Sequence, residues 1–124
     1  MKANELRIGN WINAEVNGID QYVQVFEINE DTLNGFKGIL RTAKGIPLTK
    51  HWCERLRMTS SGGVIFKIKV SDDREIQVDL SDIGDMWAYI ETVCDYVSLG
   101  PCDYVHQLQN IYFTRTGIEL KINM

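Results

Sequence analysis

Tyr104-Val105-His106-Gln107-Leu108-Gln109-Asn110-Ile111-Tyr112-Phe113-Thr114-Arg115-Thr116-Gly117 decides the architecture, because it reads as one amphipathic helix closed by a glycine. Val105, Leu108 and Tyr112 recur at i, i+3 and i+7, and Tyr104 and Ile111 extend the same apolar stripe. Asp103 is placed to cap the start, since its carboxylate can accept from a free first-turn N–H and suits the positive end of the helix dipole. Pro101 fixes the entry of the chain. Arg115 falls in the last turn, and Gly117 can take the left-handed conformation that ends a helix. Beyond it, Ile118, Leu120 and Ile122 alternate with Glu119, Lys121 and Asn123, which predicts a short, half-exposed strand.

Upstream, a first strand is expected around Trp11 to Glu15. Asn17-Gly18 marks a two-residue hairpin turn, because both central positions need positive φ. Tyr22, Val23, Val25, Phe26 and Ile28 form the returning strand, and a third is expected through Gly38 to Thr42. Thr49 suits the N-cap of a helix over Lys50 to Arg57 that buries Trp52, Leu56 and Cys53. Ser60-Ser61-Gly62-Gly63 reads as a loop. Val64 to Val70 alternates apolar and polar, Asp72-Asp73-Arg74 turns the chain, and Ile76, Val78 and Leu80 alternate on the way back. Residues 86–97 fit either period; the β-branched and aromatic content, from Trp87 to Val97, favours one strand.

The expected fold class is therefore α+β: a single domain over residues 1–124, mostly antiparallel sheet, with a short middle helix and a C-terminal helix. At 124 residues, folding buries roughly two-thirds of the extended chain's surface. The apolar fraction of 44% and charged fraction of 24% are those of an ordinary globular protein. No run approaches the roughly 20 apolar residues of a membrane span. Cys53, Cys94 and Cys102 are odd in number and irregularly spaced, against a disulfide framework. The expected location is the cytoplasm of a bacterial host cell, with reduced thiols and no membrane association.

The net charge of -4 conceals a division. Lys37, Arg41, Lys44, Lys50, Arg55 and Arg57 cluster in the middle of the chain; Asp72 to Asp103 is strongly acidic. The basic segment can take a nucleic acid, a small anion, a nucleotide or an acidic protein. Equally, the two faces can attract each other within the fold or between protomers of a homo-oligomer. Duplex DNA is disfavoured by an isoelectric point near 5.1, since the usual electrostatic footprint is a basic domain.

No motif carries catalysis, so no catalytic residue is nominated and no cofactor is expected. Cys102 with His106, and His51 with Cys53, match no zinc-ligand spacing, and buried cysteines with a hydrogen-bonded histidine account for them better. Asp79, Asp82 and Asp85 lack the glycine and terminal glutamate of a calcium loop. The residues nominated for ligand or partner binding are Lys44, Lys50, Trp52 and Arg55 in the basic segment, and His106, Gln107 and Asn110 on the last helix. Gln107 and Asn110 are expected to point away from the apolar stripe. Gln109 lies beside it, where an amide satisfies strand backbone.

Three segments carry a resemblance: Asn4-Glu5-Leu6-Arg7-Ile8-Gly9-Asn10-Trp11-Ile12; Gly45-Ile46-Pro47-Leu48-Thr49 with Trp52 and Leu56; and Tyr104 to Phe113 with Thr116-Gly117 and Glu119-Leu120. Together they resemble a family of small uncharacterised proteins of prophages and mobile elements of gut bacteria. The likeness covers about half of the chain and departs at Arg57-Met58, where the family pattern continues Gly-Phe. It implies a phage-related setting and no particular activity. Ile8 to Ile12 followed by a hairpin is also similar to the opening of SH3-like small barrels, an analogy of fold alone. The expected function is that of a non-enzymatic interaction module acting on a host or phage protein. A small-anion or nucleotide binder and a nucleic-acid-associated module stand as alternatives.

Overall fold

The computed structural model describes residues 6–26, 28, 43–72, 74–80, 87–91 and 96–122; at 61, 87–91, 96–98 and 101 it describes the backbone alone. Chain order is β1 (Trp11–Val16), β2 (Ile19–Gln24), α1 (Lys50–Arg55), β3 (Thr59–Ser61), β4 (Ile65–Ser71), β5 (Arg74–Asp79), β6 (Trp87–Glu91), β7 (Tyr96–Pro101) and α2 (Val105–Thr116). The class is α+β. β1 and β2 form a two-stranded antiparallel sheet, and β3 to β7 a five-stranded meander in sequence order. No barrel closes among the described residues.

The β1–β2 turn is the one the sequence requires. Asn17 and Gly18 sit at φ 54° and 78°, the paired left-handed conformation that matches strand twist. β2 is shorter than expected. The strand ends at Gln24, and Val25 is held by its N–H donating to the Asn10 carbonyl (2.8 Å) while its carbonyl accepts from Gly9 N–H (2.8 Å). The expected strand through Gly38 to Thr42 lies outside the described residues.

α1 begins at its expected cap, where the Thr49 hydroxyl accepts from Trp52 N–H at 3.4 Å. It stops two residues early. Arg57 N–H reaches Glu54 O (3.0 Å) and Met58 N–H reaches Cys53 O (3.1 Å), with Arg57 left-handed at φ 60°. This is the Schellman closure, and its left-handed position usually holds glycine.

Ser60-Ser61 proves to be strand rather than loop, pairing with Ile65 and Phe66. Polar residues suffice there because β3 is an outer strand of the meander and its backbone is ordered by β4. Residues 87–91 and 96–101 form two antiparallel strands, where one strand was expected over 86–97. The segment 118–122 is not a strand. Leu120 is buried but Ile118 is exposed, and among the described residues no strand edge pairs with the segment.

The two sides of the β1–β2 ribbon face different cores. Ile12 and Ala14 join Val25 and Ala43 in a small cluster. Trp11, on the opposite face, joins the main core of Ile46, Leu48, Trp52, Leu56, Phe66, Ile76, Val78, Val105 and Leu108. α2 lies against β1 and β4. Its buried face is Val105, Leu108, His106 and Gln109, so two polar residues sit inside beside the apolar stripe, Gln109 where it was expected. Tyr104, expected to pack on the sheet, is 40% exposed.

Candidate functional site

The nominated residues fall into two groups. Lys50, Trp52 and Arg55 share α1; His106, Gln107 and Asn110 share α2; Lys44 stands apart, exposed on a segment whose backbone pairs with Asn13.

On α1, spacing i, i+3 places Trp52 and Arg55 side by side. The Arg55 guanidinium lies over the Trp52 ring, 5.3 Å from its centroid. Tyr22 of β2 meets the same indole edge-on, with centroids 5.1 Å apart and planes at 85°. This is the favoured T-shaped geometry. Trp52 is only 3% exposed, so it offers no open face on which a nucleotide base could stack. Tyr22 is the accessible aromatic of the group, 52% exposed. Sequence reading missed it because alternate positions of an apolar strand look alike. The signal that finds it is hairpin register: Tyr22 pairs with Asn13, on the face opposite Ile12. Lys50, exposed at the head of α1, carries its ammonium over Gly63. The arrangement is a tyrosine, a rigidly backed indole and a guanidinium in a row.

On α2 the nominated polar residues serve the fold. Gln107 turns back rather than outward: its Oε1 accepts from the N–H groups of Asp103 (2.8 Å) and Tyr104 (3.1 Å). The helix therefore starts from Tyr104, and the cap comes from Gln107 instead of Asp103. His106 is buried and its ring stacks on Tyr104, centroids 5.8 Å apart. The Tyr104 ring presses on Gly45 so closely that a Cβ there would lie 2.6 Å from it.

Asn110 also points inward. Its Oδ1 accepts from Asn10 Nδ2 (2.8 Å) and Arg7 Nε (3.1 Å). Arg7 is the centre of this network, and sequence reading did not single it out. Its guanidinium forms an ion pair with Glu119, donates to the Gln109 carbonyl at 3.2 Å, and stacks on Phe113 at 4.1 Å. Beside it, the fully buried Gln109 accepts from Trp11 N–H (2.8 Å) and donates to Gly9 O (3.2 Å). Gln109 thus has the role its position suggested. Leu99, Asn110, Ile111, Thr114 and Arg115 line an open cleft of about 210 Å³ beside α2.

Among the described residues, no three His, Cys, Asp or Glu side chains gather where a metal could sit. His51 is exposed while Cys53 is buried, so this pair does not converge. Burial, with the Glu54 carboxylate beside it, pushes the Cys53 thiol up to about 12. Burial likewise raises Cys102, with smaller contributions from Cys53 and Asp103. Thiols held protonated in this way are poor nucleophiles and poor metal ligands. No helix among the described residues is long and apolar enough to cross a membrane.

No protein-family model matches the chain, and neither the curated proteins nor the solved structures contain a match.

Proposed function

We propose that the protein is a non-enzymatic module, of phage or mobile-element origin, that binds a host or phage protein through the surface formed by α1 and β2. The observation that carries this reading is the Arg55–Trp52–Tyr22 row. Tyrosine, tryptophan and arginine are the residues that most often dominate protein interfaces. Here the buried indole fixes the other two, so little side-chain freedom is lost on binding. Lys50 and Arg55 favour an acidic partner surface. The likeness of three segments to prophage proteins supports the mobile-element setting.

The test is capture from the host bacterium with wild-type and Arg55→Ser baits, followed by calorimetric titration of the recovered protein. A one-to-one complex weakened at least tenfold by Arg55→Ser supports the reading. Binding indifferent to Arg55 and Lys50 overturns it. So does tight, salt-sensitive retention of a generic DNA fragment, because steep salt dependence is the mark of phosphate contacts.

A second reading, a small-anion site, draws on the cleft beside α2. Arg115 supplies a cation against apolar walls of Leu99 and Ile111. The volume suits a ligand below the usual drug-sized range of roughly 300–1,000 Å³. A thermal-shift screen of phosphate, citrate and mononucleotides, repeated with Arg115→Gln, separates this reading from the first.

A further inference from the structure

We propose that β2 is a self-association edge: two copies of this chain pair their β2 strands antiparallel about a two-fold axis at Tyr22, joining two hairpins into one four-stranded sheet. This goes beyond the partner surface of α1 and β2 and does not require it, although the two share Tyr22.

The direction of the β2 backbone carries the proposal. Val25 N–H donates to Asn10 O within the hairpin. The pairs in step with it, Ile12–Val23, Ala14–Gln21 and Val16–Ile19, therefore exchange hydrogen bonds between β1 and β2. The intervening pairs, Trp11–Gln24, Asn13–Tyr22 and Glu15–Asp20, turn their backbone groups outward. β1 follows the same parity. Asn13 exchanges N–H···O bonds of 2.9 and 2.7 Å with Lys44, and Trp11 N–H donates to Gln109. On β2 this parity aims the N–H and C=O groups of Asp20, Tyr22 and Gln24 away from β1. No hydrogen bond reaches them among the described residues.

Such an edge selects an extended chain, because only a strand presents donors and acceptors at the matching spacing. Natural sheets guard their edges with lysine, proline or bulges. β2, Ile-Asp-Gln-Tyr-Val-Gln, has neither residue, and Asp20 is its one charge. The strand also complements itself. With the axis at Tyr22, the two tyrosines oppose each other and each Asp20 carboxylate faces the Gln24 amide of the second copy. Gln21 faces Val23. No like charges meet, whereas an axis moved to Asp20 would set two carboxylates face to face. Three outward residues per strand give about six interchain N–H···O bonds. Ile19 and Tyr22, 61% and 52% exposed, lie along the joint.

Light scattering and native mass spectrometry across micromolar to millimolar protein measure the assembly. The expected result is a wild-type dimer that Tyr22→Pro converts to monomer with an unchanged circular dichroism spectrum. Proline removes an outward N–H and leaves the hairpin's own ladder intact. A register test uses the Cys94→Ser background with glutathione disulfide as oxidant; two protein thiols join as glutathione is reduced. Tyr22→Cys should yield a covalent dimer, since α-carbons of a hydrogen-bonded pair lie about 5.5 Å apart, within disulfide reach. Asp20→Cys should not, because its twin lies about 13 Å away along the joint. A wild type that stays monomeric at every concentration overturns the proposal. A dimer that a folded Tyr22→Pro leaves intact, or cross-linking at position 20 in preference to 22, does so too. Should Tyr22→Pro fail to fold, the cysteine pair decides.

Discussion

Arg7 and Glu119, 112 residues apart in the chain, meet as a two-point ion pair over the end of α2. Guanidinium and carboxylate match in plane and spacing, and Phe113 and Asn110 hold the guanidinium from two further sides. Arg7→Ala should therefore cost about 1.5–3 kcal/mol, the range for hydrogen bonds to charged groups. Arg7→Lys should recover little of it, because an ammonium cannot reproduce the fork or the stacking. Urea midpoints of both variants, in a double-mutant cycle with Glu119→Gln, check this.

Gln109 is a second fastening between the same segments. Gln109→Leu keeps the volume but leaves Trp11 N–H without its partner, at roughly 1–3 kcal/mol, while Gly9 O keeps its bond from the Gln24 amide at 3.2 Å. Hydrogen exchange at the Trp11 amide should accelerate along with the loss of stability. An unaltered exchange rate would show that another group holds β1.

Gly45 is required by contact rather than by backbone angle. Gly45→Ala drives a methyl into the Tyr104 ring, and overpacking of this kind costs about 1–3 kcal/mol. Adding Tyr104→Ala should recover part of the loss. Thermal melts of the two single variants and the double variant measure that coupling.

At Arg57 the expected direction is reversed. A left-handed residue with a side chain is strained by roughly 1–2 kcal/mol, and glycine relieves it. Arg57→Gly should stabilise the protein by about 1 kcal/mol, less a small entropic term in the unfolded chain. A lower melting temperature for Arg57→Gly would contradict the closure described for α1.

The two raised thiols set the alkaline limit. In the folded state Cys53 titrates at about 12 against an ordinary 9.0. Between those values the native protein retains a proton that the unfolded chain releases, so stability falls as pH rises from about 9 towards about 12. Below that window the thiols contribute no slope. Cys53→Ala should flatten the alkaline limb of a plot of denaturation midpoint against pH and leave the neutral region unchanged in slope.

How much was legible in the sequence depended on how local the cause was. Asn17-Gly18, Thr49, Gly117 and the alternation of Phe66, Ile68 and Val70 with Ile76 and Val78 act within a few residues, and the structure places each as read; Val64, read with them, precedes β4 and is exposed. β3 escaped notice because Thr59-Ser60-Ser61 has no apolar rhythm; its pairing comes from β4. The Gln107 cap looked like an outward polar residue because the N–H groups it holds were assigned to Asp103. Arg7, Asn10 and Glu119 each look like surface residues alone. Their common purpose depends on contacts spanning about a hundred positions, which periodicity cannot report. The binding candidates divided for the same reason: a helical wheel places Trp52 and Arg55 together, but only the hairpin's docking brings Tyr22 to them.

The clasp between residues 7–11 and α2 also dictates an order of events during synthesis. Gly9 and Trp11 leave the ribosome long before Gln109, and Arg7 long before Glu119. The β1–β2 hairpin can form early, because its turn is local. Its seam against α2 has to wait for nearly the whole chain. Closing loops of this length is a late and slow step in folding. Until then the Trp11 edge of β1 is open as well as the outer edge of β2, and both sides of the hairpin are exposed to strand pairing with neighbours. The nascent hairpin is thus a part of this protein open to mispairing during synthesis, and the arrival of α2 ends that exposure at the Trp11 edge of β1.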